Sequence, residues 1–343
     1  MKNINFWKKL KYPSRGGQAI LALAPMAGIT DSAFRQMCKK YGADVVYSEM
    51  ASVSALFYKP QKTLEMLRFN AKERPYVVQL FGNKPEHFAV ATKIITNMKS
   101  NPPATLRKRA FSRSDAGGPD GIDINFGCPA KKVFGHGSGC ALMPNKKLSR
   151  EIISAVCENT SLPVSLKIRA GLRDMDAIQF IKNIKDLPFS AVMVHGRTYE
   201  GGFSGPVDFA IAEKIKKIIP GKIILANGGI TTLEDAQKIM QEFPLLDGLG
   251  IARGSWGKPF IFQQIKDILK KGKYTEYDFK KIKKVMLEHA KFIYQDKKEK
   301  GLLEIRKHLS WYVKGFPGAS ELRQKLVQVK SLKEIKNILD KSL

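Results

Sequence analysis

Ser165-Leu166-Lys167-Ile168-Arg169 alternates polar and aliphatic side chains residue by residue, and that alternation decides the fold. Period-two patterning marks a strand whose two faces meet different surroundings. One face here is aliphatic and the other carries two cations, as expected for a strand with its aliphatic side against helices and its polar side inside a barrel. Outward from this segment, short apolar runs recur at residues 19–23, 45–48, 76–81, 121–125, 164–168, 191–194, 222–226 and 248–251. Most are followed by an amphipathic helical pattern, so the eight units predict an α/β fold, a (β/α)8 TIM barrel. A doubly wound sheet is the competitor. Ala24-Pro25-Met26-Ala27-Gly28 after the first run is not the GxGxxG turn that such a sheet usually carries.

In a (β/α)8 barrel the C-terminal strand ends build the site, so polar residues there carry meaning. Gln79, Asn125, Lys167, His195 and Asn227 fall within or just after strands three to seven, where a purely structural barrel would hold aliphatic residues. Asn227-Gly228-Gly229 and Ala252-Arg253-Gly254 follow the last two strands, where such barrels commonly bind phosphate through glycine backbone N–H groups and an arginine fork. An unpaired ammonium inside a barrel is costly, so Lys167 points to an anionic cofactor. His195 also reads as a satisfied loop histidine. Cys128 ends the fourth strand in Asn125-Phe126-Gly127-Cys128-Pro129. Free cysteines are usually small buried hydrophobes, a reading that suits Cys140 and Cys157 better than a thiol in a Gly-Cys-Pro turn.

The 343 residues carry 59 Lys+Arg against 31 Asp+Glu, a net charge of +28. Such an excess indicates phosphate-rich partners or an anionic surface, or else a lysine-rich composition with no partner behind it. No apolar run approaches the roughly 18 residues of a membrane span, and the basic start lacks a signal-peptide core, so a soluble cytoplasmic protein is expected. Four cysteines without a CxxC pair or a His/Cys cluster predict neither a structural disulfide nor a metal site. Residues 1–18 read as an N-terminal extension and 19–262 as the catalytic barrel, with a basic inserted loop at about 100–119. After about residue 262 helical periodicity takes over, and 263–343 reads as a separate helical domain. Its balance of +11 compares with +17 over residues 1–262, about twice the charge density.

Several motifs in order resemble one family. Ala24-Pro25-Met26-Ala27-Gly28-Ile29-Thr30-Asp31, Ser48-Glu49-Met50, Asn125-Phe126-Gly127-Cys128-Pro129 with Lys131-Lys132-Val133, Leu166-Lys167-Ile168-Arg169, His195-Gly196-Arg197-Thr198 and Ala226-Asn227-Gly228-Gly229 are similar to those of the tRNA-dihydrouridine synthases, the bacterial B type most of all. The likeness runs over about 19–262 and resumes at 306–312 and 315–319. It implies an FMN-binding barrel and a C-terminal helical tRNA-binding domain, with reduction of the C5–C6 double bond of a D-loop uridine at the expense of NADPH or NADH. By resemblance, the Pro25-Met26-Ala27 backbone and Gln79 hold the isoalloxazine edge, Lys167 lies near its pyrimidine end and His195 packs beside it. Asn227, Gly228, Gly229, Ala252 and Arg253 cradle the phosphate. Hydride passes to C6 of the uracil and Cys128, which keeps its proton in the resting complex, protonates C5. Asn125 and Arg169 hold the uracil edge. The base leaves its stack while basic helices grip the tRNA. Ala252 stands where the B type often has glycine, and the insert around Arg107 to Arg113 departs from the usual pattern and is expected on the tRNA-facing rim. The expected protein is a monomer with tRNA as partner, no stable protein partner and no membrane. Two rivals are a related FMN barrel acting on a free pyrimidine, like dihydroorotate dehydrogenase, and a non-catalytic RNA-binding barrel.

Overall fold

The computed structural model describes residues 5–11, 18–98, 117–315 and 318–342. Most of the basic insert expected at about 100–119 therefore lies outside the described residues. The strands are β1 (Ile20–Leu23), β2 (Val45–Tyr47), β3 (Ala51–Ser52), β4 (Tyr76–Phe81), β5 (Gly121–Phe126), β6 (Val164–Arg169), β7 (Gly171–Leu172), β8 (Met175–Asp176), β9 (Ala191–His195), β10 (Ile223–Asn227) and β11 (Gly248–Ile251). All but β7 and β8 join one parallel sheet in the order β2-β1-β11-β10-β9-β6-β5-β4-β3, and β2 also pairs with β4. That last pairing closes eight strands into the barrel that the sequence predicts. Two features were not predicted: β3 continues the second strand's pairing onto the end of β4, and β7 and β8 form a separate antiparallel hairpin.

Helices cover the outer faces because the strands' outward residues are apolar. Leu21, Val46, Val78, Ile122, Ile124, Leu166, Ile168 and Val192 sit in one large core with the helices' buried stripes. The inner face is different. Ile20, Ala22, Val45, Tyr47, Val77, Met193 and Leu225 pack with Phe6, Trp7 and Leu10 of the helix Phe6–Lys11. The segment that reads in sequence as a basic extension thus contributes an aromatic plug, with Trp7 only 1% exposed. Polar inner residues occur higher up the strands, and the plug explains why they can: the apolar filling is already supplied below.

The C-terminal helices Phe279–Lys297, Glu299–Tyr312, Ala319–Leu326 and Leu332–Lys341 form a second core, which takes in Ala33 and Met37 of the barrel helix Ser32–Lys40. Between the two, the ring of Phe34 lies 5.7 Å from that of His289 and 5.2 Å from that of His308. His289 Nε2 and His308 Nδ1 are buried with no partner among the described residues. Burial pushes His289 down to about 4, with Lys297 adding to that and Asp31 opposing. Burial likewise holds His308 well below its ordinary value, with His289, Lys307 and Lys297 acting in the same direction and Asp31 opposing. Below an unfolded-state value of 6.5 the unfolded chain binds protons that the folded chain refuses, so stability falls as pH drops from 6.5 toward 4. For two imidazoles the slope approaches roughly 3 kcal/mol per pH unit. The neighbouring carboxyl of Asp31, pushed up by burial but held at about 2 by Lys297 and His308, titrates outside this window. His289→Phe is expected to lower the acid slope by about 1.4 kcal/mol per pH unit, the share of one imidazole, read from urea denaturation at pH 7, 6 and 5. An unchanged slope would assign the acid lability elsewhere.

Candidate active site

Strand register brings the polar residues to one end of the barrel. Asn125 is paired with Lys167, Arg169 with His195, His195 with Asn227, and Asn227 with Gly250, a ladder that steps around half the rim. Gln79 enters from the next strand on, paired with Asp123. Gln79, Asn125, Lys167, Arg169, His195 and Asn227, the residues singled out in sequence, thus share the C-terminal mouth. Asn227 Nδ2 spends one donor on Gly250 O at 2.6 Å, which locks its amide to β11.

Cationic charge concentrates there. The ammonium of Lys167, a half-buried residue, has no hydrogen-bond or ion-pair partner among the described residues. Burial pushes its ammonium down to about 8, Arg169 adding to that and Asp123 opposing. His195 is 9% exposed and its Nε2 is buried without a partner among the described residues. Burial first, then Lys167, Arg169, Arg197 and Arg253, press the imidazole down to about 2, so it is neutral at any working pH. Four cations facing one neutral, unpartnered imidazole make a site for an anion.

Gly228 and Gly229 lie beside it with φ of +101° and +68°. A Cβ on Gly228 would come within 2.4 Å of the His195 ring, so only glycine allows the imidazole and the β10 turn to meet. Ala252 follows β11 at φ −112°, on the negative-φ side, where the left-handed conformation that favours glycine is not called for. Arg253 opens the short 3-10 turn Arg253–Ser255; its Nη2 donates to Phe203 O at 2.8 Å and its guanidinium lies 5.7 Å from the Phe203 ring.

The thiol of Cys128 is partly exposed. Its loop is held from below: Gly127 N–H and Cys128 N–H both donate to Asn125 Oδ1, at 3.0 and 2.8 Å. From the side, Cys140 N–H donates to Cys128 O at 3.2 Å, beside Gly139 at φ +64°. Arg169 supplies a third restraint. It is 1% exposed, and its guanidinium donates to Gly127 O, Thr198 O and Gly202 O at 3.0, 2.7 and 2.8 Å. The residue expected to hold a substrate edge also clasps the Cys128 loop to the loop after β9. By contrast Cys140 is buried and pushed up to about 12 by that burial, an inert thiol.

The loop after β1 approaches from the opposite side. Met26 N–H donates to Thr30 Oγ1 at 3.2 Å, and Met26 Sδ accepts from Trp256 Nε1 at 3.3 Å. Trp256 stacks on Trp311 at 4.3 Å, and Lys307 Nζ donates to Gly28 O, so the C-terminal helices brace the Pro25-Met26-Ala27 segment.

With this geometry in view, the comparisons bear on the chain as a whole. The family described as Dihydrouridine synthase (Dus) matches residues 22–343. The chain belongs to that family. The tRNA-dihydrouridine synthase B of Pseudomonas aeruginosa is 33% identical over 307 residues, covering 88% of this chain and 86% of that protein. A probable tRNA-dihydrouridine synthase 1 of Synechocystis is 30% identical over 325 residues, 93% of this chain and 85% of its own length. Among solved structures, histamine dehydrogenase from Rhizobium sp. 4-9 superposes with a TM-score of 0.52 at 13% identity, over 81% of this chain and 48% of that one, a likeness of fold.

Three residues near the site escaped the sequence reading. Arg197 Nε donates to Gly205 O, and its guanidinium lies beside the Gly228-Gly229 turn. Asp123 sits one inward step below Asn125 on β5 and is fully buried. Phe203 is 59% exposed between the guanidinium groups of Arg169 and Arg253. Strand alternation already pointed Asp123 inward and would have found it. Nothing local distinguishes Phe203 from any loop aromatic.

Proposed function

We propose that this protein is a flavin-dependent tRNA-dihydrouridine synthase that binds FMN at the barrel mouth and uses NADPH or NADH to reduce the C5–C6 double bond of a D-loop uridine. The observation that carries the reading is the meeting, at one rim, of a Lys167 ammonium without a partner among the described residues and a neutral His195 ringed by cations with the tethered, partly exposed Cys128. These residues fit FMN: Lys167 balances negative charge on a reduced ring, while Gly228, Gly229, Arg253 and Arg197 receive the phosphate. The Pro25-Met26-Ala27 backbone, Gln79 and His195 line the ring, with Asn227 and Ala252 completing the phosphate turn.

Once bound, reduced FMN supplies the hydride for C6 of the uracil. Everything else falls to the chain. Asn125 Nδ2, through the N–H that rests on the weak acceptor Met50 Sδ at 3.7 Å, and the Nη2 edge of the Arg169 guanidinium bind the uracil carbonyls, where charge develops. Cys128 Sγ donates its proton to C5 and is left as thiolate, to be reprotonated from water. The helical region, with +11 over residues 263–343, takes the phosphate backbone of the tRNA. The test is direct. The purified protein, loaded with FMN and given NADPH, should form dihydrouridine in tRNA from cells lacking this gene, and without tRNA should neither reduce free uracil to dihydrouracil nor oxidise dihydroorotate to orotate. Turnover of the free pyrimidines without tRNA would overturn the substrate reading, and a preparation that stays colourless after FMN addition would overturn the cofactor.

A further inference from the structure

A continuous line of hydrogen bonds runs upward from the barrel interior to the Cys128 loop. Ser165 Oγ–H donates to Asp123 Oδ1 at 2.6 Å, and Gln79 Nε2 donates to Asp123 Oδ2 at 2.7 Å. Asn125 Nδ2 then donates to Gln79 Oε1 at 3.0 Å. Asn125 Oδ1 in turn accepts the N–H groups of Gly127 and Cys128. Two carboxamides stand in this line, and a carboxamide is the one side chain that can turn its donor and acceptor ends over with no change of shape. The line is pinned at both ends by groups of fixed polarity: above by the backbone N–H donors of Gly127 and Cys128, and below by Asp123, fully buried at 0% exposure, whose Oδ2 faces Gln79 as an acceptor.

We propose that Asp123 is a positioning residue, which orients Gln79 so that its Oε1 meets Asn125 Nδ2, and so steadies the carboxamide that holds the Cys128 loop and faces the substrate. The inference rests on the proposed synthase activity and goes beyond it. Were Gln79 to turn over, its NH2 would face the NH2 of Asn125. Asn125 would either lose that acceptor or turn with it, setting its Nδ2 against the N–H groups of Gly127 and Cys128 and loosening the loop that carries the thiol. The same turn would reverse what Gln79 offers to a ring lying above it. Neighbouring chemistry agrees that an acceptor, not a charge, is what the line requires. Burial pushes the carboxyl up to about 7 against the pull of Ser165, Gln79 and Lys167. A proton added on the Ser165 side still leaves Oδ2 accepting from Gln79.

Asp123→Ala and Asp123→Asn separate this from a merely structural role. In the FMN-loaded enzyme, Asp123→Ala is expected to keep flavin reduction by NADPH while slowing reoxidation of the reduced flavin by tRNA about 100-fold, the scale for a reacting group displaced by about 1 Å. Asp123→Asn, which can present Oδ1 to Gln79 and its NH2 to Ser165 Oγ, should restore most of that rate. Equal reoxidation in Asp123→Ala and the parent would overturn the proposal, as would an Asp123→Asn enzyme as slow as the alanine variant. If Asp123→Ala fails to fold, Asp123→Asn decides alone on the same two half-reactions. A parent enzyme that forms no dihydrouridine in tRNA would instead remove the underlying activity, and this inference with it.

Discussion

Cys128→Ala is expected to leave a folded, yellow protein that binds tRNA and accepts electrons from NADPH, yet forms dihydrouridine roughly 10²–10⁴-fold more slowly, the usual worth of a positioned proton donor. The expectation follows from how little else the side chain does. Its loop is held by backbone groups, through Gly127 N–H, Cys128 N–H and Cys128 O, and by Arg169 on Gly127 O. Removing Sγ therefore deletes a proton source without loosening the site. Single-turnover reoxidation of the pre-reduced enzyme by tRNA isolates the affected step. A Cys128→Ala enzyme that reoxidises at the parental rate would take the thiol out of the chemistry and pass the proton to water.

The second large effect is on stability. Arg35 and Glu73 form an ion pair at 2.6 Å with 1% and 0% of their side chains exposed. The arginine also donates to Thr30 O and Arg68 O, and lies 4.7 Å from the centre of the Tyr76 ring. Glu73 accepts from Ser32 Oγ and Asn70 N–H. Arg35→Met strips the counter-charge from a carboxylate that burial already pushes up, and should cost about 3–5 kcal/mol in urea denaturation. The double change Arg35→Met with Glu73→Leu should recover part of that loss, because two buried charges need each other more than the fold needs either. Since Arg35 fixes Thr30 O, and Thr30 Oγ1 holds Met26 N–H, the single variant should also weaken FMN retention. A cost below about 1 kcal/mol, the range of an exposed pair, would show that water reaches Glu73.

Local pattern made the barrel legible because a strand's two faces are written two residues apart. The alternation in β6 predicted an inward Lys167 and Arg169, and the spacing of apolar runs predicted the other seven barrel strands. The strand-end position of Gln79, Asn125, His195 and Asn227 was legible for the same reason. The part played by Phe6 and Trp7 was not legible, because one short helix in a basic stretch has too few turns to show a stripe; only closure of the barrel floor explains them. The β7–β8 hairpin pairs two residues on each strand, below the length at which alternation can register. Arg169 was legible as inward but not as a clasp, since its carbonyl partners lie 29 to 42 residues away along the chain.

By itself, then, the order of residues determined the eight-stranded parallel barrel, the helical C-terminal region and the set of polar side chains at the strand ends, all consequences of periodicities within a few residues. Tertiary structure alone decided which of those side chains are satisfied and which are left open. Asp123 reaches Gln79 and Ser165 only across neighbouring strands, His195 is neutral because barrel closure buries it and then brings four distant cations around it, and Trp311 braces Met26 only through Trp256. Hydrogen bonds and fields act over a few ångströms of space, and closing the barrel is what turns long separations along the chain into distances that short.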